Sequence, residues 1–327
     1  MIVTSGYNNV SPGDGGGWLY VLDAETGAIL SKTGTEISGV NVGDATTPSG
    51  FAKISGFATN FTVNNTTTFV YGGDLLGNIW RFDMQTDPPT VQRIGQALDA
   101  SAPPRPQSIT TRPEITRFDA GFNVIYVGTG RYLGASDIPD ASTLTPAPVP
   151  AWAYQQTVYA VKDTGTDLGN LRDPAANLQV QTMSLIDPVT RTISNNKVDW
   201  DTQNGWYVDL NPANNSPGER VNIDMQLVRG VLVVAANEPN NEACSTGGNS
   251  FLYFFDYKSG SYVASSPGGV VGTRLSTALA AGFVVYRLAN GQLKFAEINV
   301  NGTKKVGGVP PGSGGALGRR VSWRELF

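Results

Sequence analysis

The chain of 327 residues has no histidine and a single cysteine, Cys244. Without histidine there can be no Ser-His-Asp triad, no Cys-His pair and no His-ligated zinc. One cysteine allows neither an intrachain disulfide nor a thiolate cluster, and it leaves the redox compartment open. Charged residues make up only 15%, the formal net charge is −4, and no basic run occurs. A nucleic-acid surface would need a basic face, so none is expected. No apolar run approaches the ~18 residues that span a bilayer. The N-terminal MIVTSGYNNV has no charged start and no apolar core, so it does not read as a signal peptide. The chain is therefore expected to be cytosolic or a piece of a longer secreted protein. A sustained helical period is also missing.

What the sequence has instead is turn and strand chemistry: 39 Gly, 20 Pro and many Asn and Thr. One pattern recurs, an alternating apolar strand followed by an acid and a small turn. It reads WLYVLDAETG at 18–27, IWRFDMQTD at 79–87, TVYAVKDTG at 157–165, WYVDLNPAN at 206–214, FLYFFDYKSG at 251–260 and, most loosely, LKFAEINVNG at 293–302. The acids are Asp23, Asp83, Asp163, Asp209, Asp256 and Glu297, at intervals of 60, 80, 46, 47 and 41 residues. The shorter intervals match a four-stranded propeller blade of roughly 40–50 residues. The longer ones carry insertions, expected near 86–108 and 133–152, both rich in turn formers. Partner strands precede most repeats: FVYGGD before IWRFD across LLGN, VIYVGTG before TVYAVKD, VLVVAAN before FLYFFD, and FVVYRLA before QLKFAEI across Asn290-Gly291. Serial hairpins of this kind predict an all-β propeller. Asp23, Asp83 and Asp256 are expected to accept backbone N–H groups of the turns that follow them, and the recurrent aromatics to be core.

Longer strings resemble those of one family. YVLDAETG is similar to the quinoprotein-type propeller repeat, and FVYGGDLLGNIWRFDM resembles the signature of the C-terminal propeller of the PilY1/PilC family of type IV pilus tip proteins. VTSGYNN (3–9), ITTRPEITR (109–117), IYVGTGRYLG (125–134), NGWYVDLN (204–211), GERVNIDMQLVRG (218–230), ACSTGGNSFLYFFD (243–256) and RRVSWREL (319–326) are similar to family strings in the same order. The resemblance covers essentially the whole chain. It implies a quinoprotein-like β-propeller, seven-bladed in the full protein and truncated at its N-terminal side here. Blades are expected over 1–305, with a further insertion at 238–249. The tract 306–327, Gly/Pro-rich with a closing strand, is expected within the same domain.

The resemblance also implies a function. The chain would be a non-enzymatic module for pilus assembly, surface adhesion and twitching motility, part of an exported precursor at the cell surface, pilus tip or outer membrane. It would dock on minor pilins and present loops, chiefly 133–152 and 238–249, to a host or abiotic surface, with no cofactor and no membrane span. Two alternatives stand beside it: an outer-membrane assembly scaffold, and a quinone-dependent dehydrogenase. The second conflicts with the lone cysteine, because such enzymes typically use an adjacent-cysteine disulfide. The family's calcium loop resembles D-x-D-x-D-N-x-x-D before the VYAGDL strand. Here the register gives Asn60, Thr62, Asn64, Asn65 and Thr68, with no carboxylate. Calcium affinity rises with carboxylate count, so the loop is expected to be empty or very weak, and to be shaped by hydrogen bonds of its Asn and Thr side chains.

Overall fold

The computed structural model describes residues 1–59, 63–134, 137, 155–240 and 247–312. The first sheet pairs β1 (Ile2–Thr4), β2 (Trp18–Leu22) and β3 (Ile29–Gly34), and a small ribbon β4 (Glu36–Ile37), β5 (Val40–Asn41) follows. The second sheet is a four-stranded meander of β6 (Ile54–Phe57), β7 (Phe69–Gly73), β8 (Asn78–Asp83) and β9 (Thr90–Gln96). The third runs β10 (Glu114–Arg117), β11 (Asn123–Gly128) and β12 (Thr157–Lys162). An excursion then supplies β13 (Gln179–Gln181), β14 (Met183–Leu185) and β15 (Thr190–Ile193) before β16 (Gly205–Asp209) completes the third sheet beside β12. The fourth sheet holds β17 (Gln226–Val228), β18 (Val231–Pro239), β19 (Gly248–Asp256) and β20 (Val270–Ser276). The fifth holds β21 (Ala280–Arg287), β22 (Leu293–Asn299) and β23 (Lys304–Gly308).

The five sheets stack in series, with one apolar layer at each junction. Leu19, Phe51, Val70, Trp80 and Phe82 join the first two. Tyr71, Ile79, Ile125, Val127 and Tyr159 join the second to the third. Tyr126, Trp206, Phe251 and Phe255 join the third to the fourth, and Val231, Val233, Leu252 and Phe295 the fourth to the fifth. Strands of the middle sheets are therefore covered on both faces. That is why β11 and β12 are near-continuously apolar and buried instead of alternating. The leading strands meet at the inside of the arc: β10 touches β6 on one side and β17 on the other, and β17 touches β21. The result is the all-β, propeller-like stack that the repeat predicts.

The structure corrects two of the six repeat units. WYVDL is not the third strand of a new blade. It is β16, the fourth strand of the third sheet, in register with β12 from Thr157–Asp209 to Val161–Gly205. Its acid, Asp209, takes hydrogen bonds from Thr157 Oγ1 and Arg172 instead of capping a turn. Alternation alone marks a strand but not its place in the blade. Likewise Glu297 lies inside β22, opposite Phe283 and Lys305, and is buried. The Asn290-Gly291 turn before it shares a cavity wall with Arg229, at the end opposite to the LLGN turn of the second sheet, so the last hairpin is shifted by one strand.

The insertions are also sharper than expected. The stretch 86–108 contains β9, and only its second half is a connection. The 179–193 excursion stitches neighbours together, with β13 pairing parallel to β16 and β15 pairing with β20. β23 crosses the boundary set at 305, so an irregular tract begins only after Gly308.

Among the described residues the last sheet is covered on one face only. Val284, Tyr286, Ile298 and Val306 share the opposite face at 51%, 38%, 45% and 61% exposure. An apolar patch of this kind marks a contact surface. The chain is expected to bind a hydrophobic dye there, and the double variant Tyr286→Ser/Ile298→Thr should remove most of the dye fluorescence without lowering the melting temperature.

Near the axis, Glu114 on β10 has Arg112 and Asp224 beside it, and burial pushes its carboxyl up to about 7. A folded value above the unfolded one gives stability that is complete below about pH 4.3 and is lost as pH rises through about 7. Glu114→Gln should therefore flatten the decline in stability between about pH 5 and 8 by roughly 2 kcal/mol, discounting for partial exposure. Chemical denaturation of both proteins across that range measures it.

Candidate functional site

The turns of the stack fall into two groups, one at each end, and each end is knitted by its own polar network. One end carries the repeat acids. Asp23 Oδ1 accepts the amides of Glu25 (3.0 Å) and Thr26 (2.7 Å), and these bonds hold its carboxyl below the usual range. Asp83 accepts Gln85 N–H at 3.0 Å, and Asp256 accepts Lys258 and Ser259 N–H at 3.0 Å each. These are the turn caps expected from the sequence. Asp163 caps Gly165 too, and also accepts Tyr71 Oη (2.7 Å) and Arg81 (2.9 Å), tying the second sheet to the third.

The calcium-like loop joins β6 to β7 at this same end. Asn60 and Thr62 lie outside the described residues. Asn64 Oδ1 accepts Thr66 N–H (2.9 Å) and Thr66 Oγ1 (2.7 Å). Thr68 Oγ1 donates to the Phe57 carbonyl (2.9 Å) and pairs with Thr59 Oγ1 (2.9 Å). Two candidate ligand oxygens are thus already bonded, Asn64 Oδ1 in an Asx-type turn and Thr68 Oγ1 across the base of the loop. Asn65 is exposed. No group of three His, Cys, Asp or Glu that could hold a metal occurs among the described residues. The described part of this donor set, Asn64, Asn65 and Thr68, offers no carboxylate.

The opposite end carries both connections that the sequence singled out for contact. Most of 133–152 lies outside the described residues, as does 241–246, including Cys244. Their stems are described. The first leaves β11 at Gly128 and returns at Gln155. Arg131 Nε donates to Asp137 Oδ1 at 2.7 Å, and Leu133 N–H to Asp137 Oδ2 at 2.8 Å. The returning side is held by buried polar groups: Thr129 Oγ1 donates to Gln156 Oε1 (2.8 Å), Gln107 Nε2 to Thr157 Oγ1 (2.8 Å), and Tyr159 Oη to Gln107 Oε1 (2.8 Å). The second stem is a continued hairpin, not a loop of twelve residues. β18 and β19 stay paired through Pro239–Gly248, and Asn240 N–H donates to Gly247 at 2.8 Å. Gly248 has φ +137°, and a Cβ there would lie 2.0 Å from the Glu238 carbonyl, so only glycine turns this corner.

A third connection, between β16 and β17, lies between the two stems. Arg220 N–H donates to the Asn237 carbonyl (2.8 Å), and Asn237 N–H returns the bond (2.9 Å). The Arg220 guanidinium donates to the carbonyls of Arg131 (2.7 Å) and Asp137 (2.9 Å), while its Nε donates to Gly218 (2.8 Å). The row continues on both sides. Ser108 Oγ donates to Leu75 (2.8 Å), Gly130 N–H to Ser108 (2.7 Å), and Ala280 N–H to Asn237 Oδ1 (2.8 Å). Sequence reasoning found the two insertions but missed Arg220, Asn237, Gln107 and Asp137, which bring them together. GERVNIDM marks the region, yet nothing in it says which carbonyls the arginine meets.

This arrangement positions two surface connections on a rigid base. Loops mounted this way commonly carry binding.

No family model matches the chain. It is 28% identical over 271 residues to the type IV pilus biogenesis factor PilY1 of Pseudomonas aeruginosa PAO1, covering 73% of this chain and 22% of that protein. A PilY1 homologue of Xylella fastidiosa is 28% identical over 283 residues, covering 79% of this chain and 18% of that protein. The chain thus spans about a fifth of the length of these curated relatives. In fold it is similar to the crystal structure of the P. aeruginosa PilY1 C-terminal domain, with a TM-score of 0.70 and 23% identity over 95% of this chain and 69% of that one. Sequence relatives and shared fold together support a PilY1-family C-terminal domain.

Proposed function

We propose that this domain is a non-enzymatic docking module of a type IV pilus biogenesis protein, exported to the cell surface or pilus tip, and that it contacts minor pilins and external surfaces. The observation that carries the reading is the convergence of both long connections on one end of the stack, over a buried polar base. The curated relatives' names, pilus biogenesis factor, support the setting. No helix among the described residues is long and apolar enough to cross a membrane. The LDAETG turn, similar to the quinoprotein-type repeat, serves as a turn cap at Asp23.

The test uses the full-length protein in its host. Shortening 138–154 and 241–246 to Gly-Ser bridges should reduce piliation and twitching and abolish co-purification with minor pilins, while the protein stays folded and exported. Normal piliation and co-purification in both shortened proteins would overturn the reading.

The calcium-like loop takes no part in this function. Titration calorimetry of the chain with calcium chloride is expected to show no heat of binding at micromolar concentrations, because Asn64 and Thr68 offer no charge and their oxygens are already bonded. A micromolar binding isotherm would refute it.

A further inference from the structure

We propose that Glu297, Ser250 and Asn299 form a buried site for a monovalent metal cation, sodium, at the junction of the fourth and fifth sheets. The site is separate from the calcium-like loop and independent of the docking reading.

The layer between these two sheets changes character at its last rung. It is built from Val233 and Ala235 on β18, Leu252 on β19 and Phe295 on β22. One step further along the same faces stand Asn237, Ser250 and Glu297, all buried. Asn299 follows on the same face of β22 and is buried too. The backbones are pinned at this rung. Ala280 N–H donates to Asn237 Oδ1 (2.8 Å), Asn237 Nδ2 donates to the Ala280 carbonyl (3.0 Å), and Ala280 pairs with Asn299.

Four buried oxygens of this rung have no hydrogen-bond partner among the described residues: Glu297 Oε1 and Oε2, Ser250 Oγ and Asn299 Oδ1. Such groups call for a bound water or ion. Asn299 is held with its oxygen free. Its Nδ2 donates to Thr303 Oγ1 at 3.0 Å, and that hydroxyl gives its own proton to Asn301 Oδ1 at 2.6 Å. Lys305 lies opposite Glu297 on β23, but its ammonium donates to the Leu275 carbonyl at 3.0 Å. Burial raises the Glu297 carboxyl, while Ser250 beside it and then Lys305 lower it. A buried carboxylate needs a counter-charge or a metal. One carboxylate among neutral hydroxyl and amide oxygens balances a single positive charge. Calcium would call for more carboxylates. The bound ion ties the last sheet to the fourth.

Thermal and urea unfolding of the whole chain test the site, with sodium chloride exchanged for tetramethylammonium chloride at constant ionic strength. Each decade of sodium above the dissociation constant should raise the folding constant about tenfold. Glu297→Gln keeps the shape, removes the charge and should lose this response. Ser250→Ala removes one neutral oxygen, should fold as the native chain does, and should need several-fold more sodium for the same gain. Equal stability in the two salts up to about 0.5 M would mark Glu297 as protonated or merely hydrated and overturn the site. A sodium response in either variant equal to that of the native chain would overturn it as well. Stabilisation by micromolar calcium in place of sodium, lost in Glu297→Gln, would overturn the choice of a monovalent ion.

Discussion

Asp74→Ala is expected to lower stability by about 4 kcal/mol, the largest effect of any single side chain at the second sheet. Asp74 closes the FVYGGDLLGNIW hairpin and is fully buried. Its Oδ1 accepts the amides of Leu76 and Asn78 at 2.9 Å each. Its Oδ2 accepts Asn78 Nδ2 at 2.9 Å and Trp80 Nε1 at 2.8 Å. The backbone is bound as well, because Ile109 N–H donates to its carbonyl at 2.9 Å. Alanine leaves four donors facing a void, and each unsatisfied buried group costs about 1–3 kcal/mol. Water entering the void recovers part of this, which sets the expectation well below the simple sum. Asp74→Asn keeps the volume but must aim an NH2 group at one pair of donors, so about 2–3 kcal/mol is expected. Burial pushes the Asp74 carboxyl up to about 6. The raised value means that its contribution is greatest at low pH and declines as pH rises through about 6. Urea denaturation measures both variants. The midpoint should fall with the slope unchanged, and a loss below 1 kcal/mol for alanine would show that the four donors find other partners.

Glu219→Gln should cost about 3–5 kcal/mol, because it leaves a buried guanidinium without its counter-charge. Arg191 and Glu219 have no exposed side-chain surface. Arg191 belongs to β15 of the excursion, Glu219 to the connection that carries Arg220, and Tyr253, which donates to Glu219, to β19. Arg191 Nη2 also donates to Ser216 Oγ at 2.9 Å, and its guanidinium lies 3.8 Å over the Phe251 ring. Burial raises the Glu219 carboxyl, and the pairing with Arg191 opposes that rise. Removing Arg191 alone as Arg191→Met should therefore cost less at pH 5 than at pH 8, since Glu219 then takes up a proton more readily. The double variant Arg191→Met/Glu219→Leu should recover much of the loss, as apolar replacements of buried ion pairs often do. Thermal denaturation of the native chain, Arg191→Met, Glu219→Leu and the double variant at both pH values gives the double-mutant cycle. Strict additivity would show that the two charges do not act as a pair.

Glu219 directly precedes Arg220, whose guanidinium donates to the carbonyls of Arg131 and Asp137, so loss of the ion pair is also expected to loosen the 131–137 stem.

The all-β class, the serial hairpins, the caps at Asp23, Asp83 and Asp256, and the positions of the two long connections were all legible in the sequence. Each depends on local rules: the period of a strand, the turn chemistry of Asp and Gly, and the composition of a connection. The place of a strand within its sheet is not local. WYVDL and LKFAE carry the same alternation as the third strands, yet pairing with β12 and with β21 puts them elsewhere. The tertiary structure also decided that Arg220 meets carbonyls some 85 residues earlier in the chain. Those contacts form only when the third and fourth sheets close on Trp206 and Phe255, because packing between sheets, and no pattern along the chain, sets which backbones come within hydrogen-bond reach.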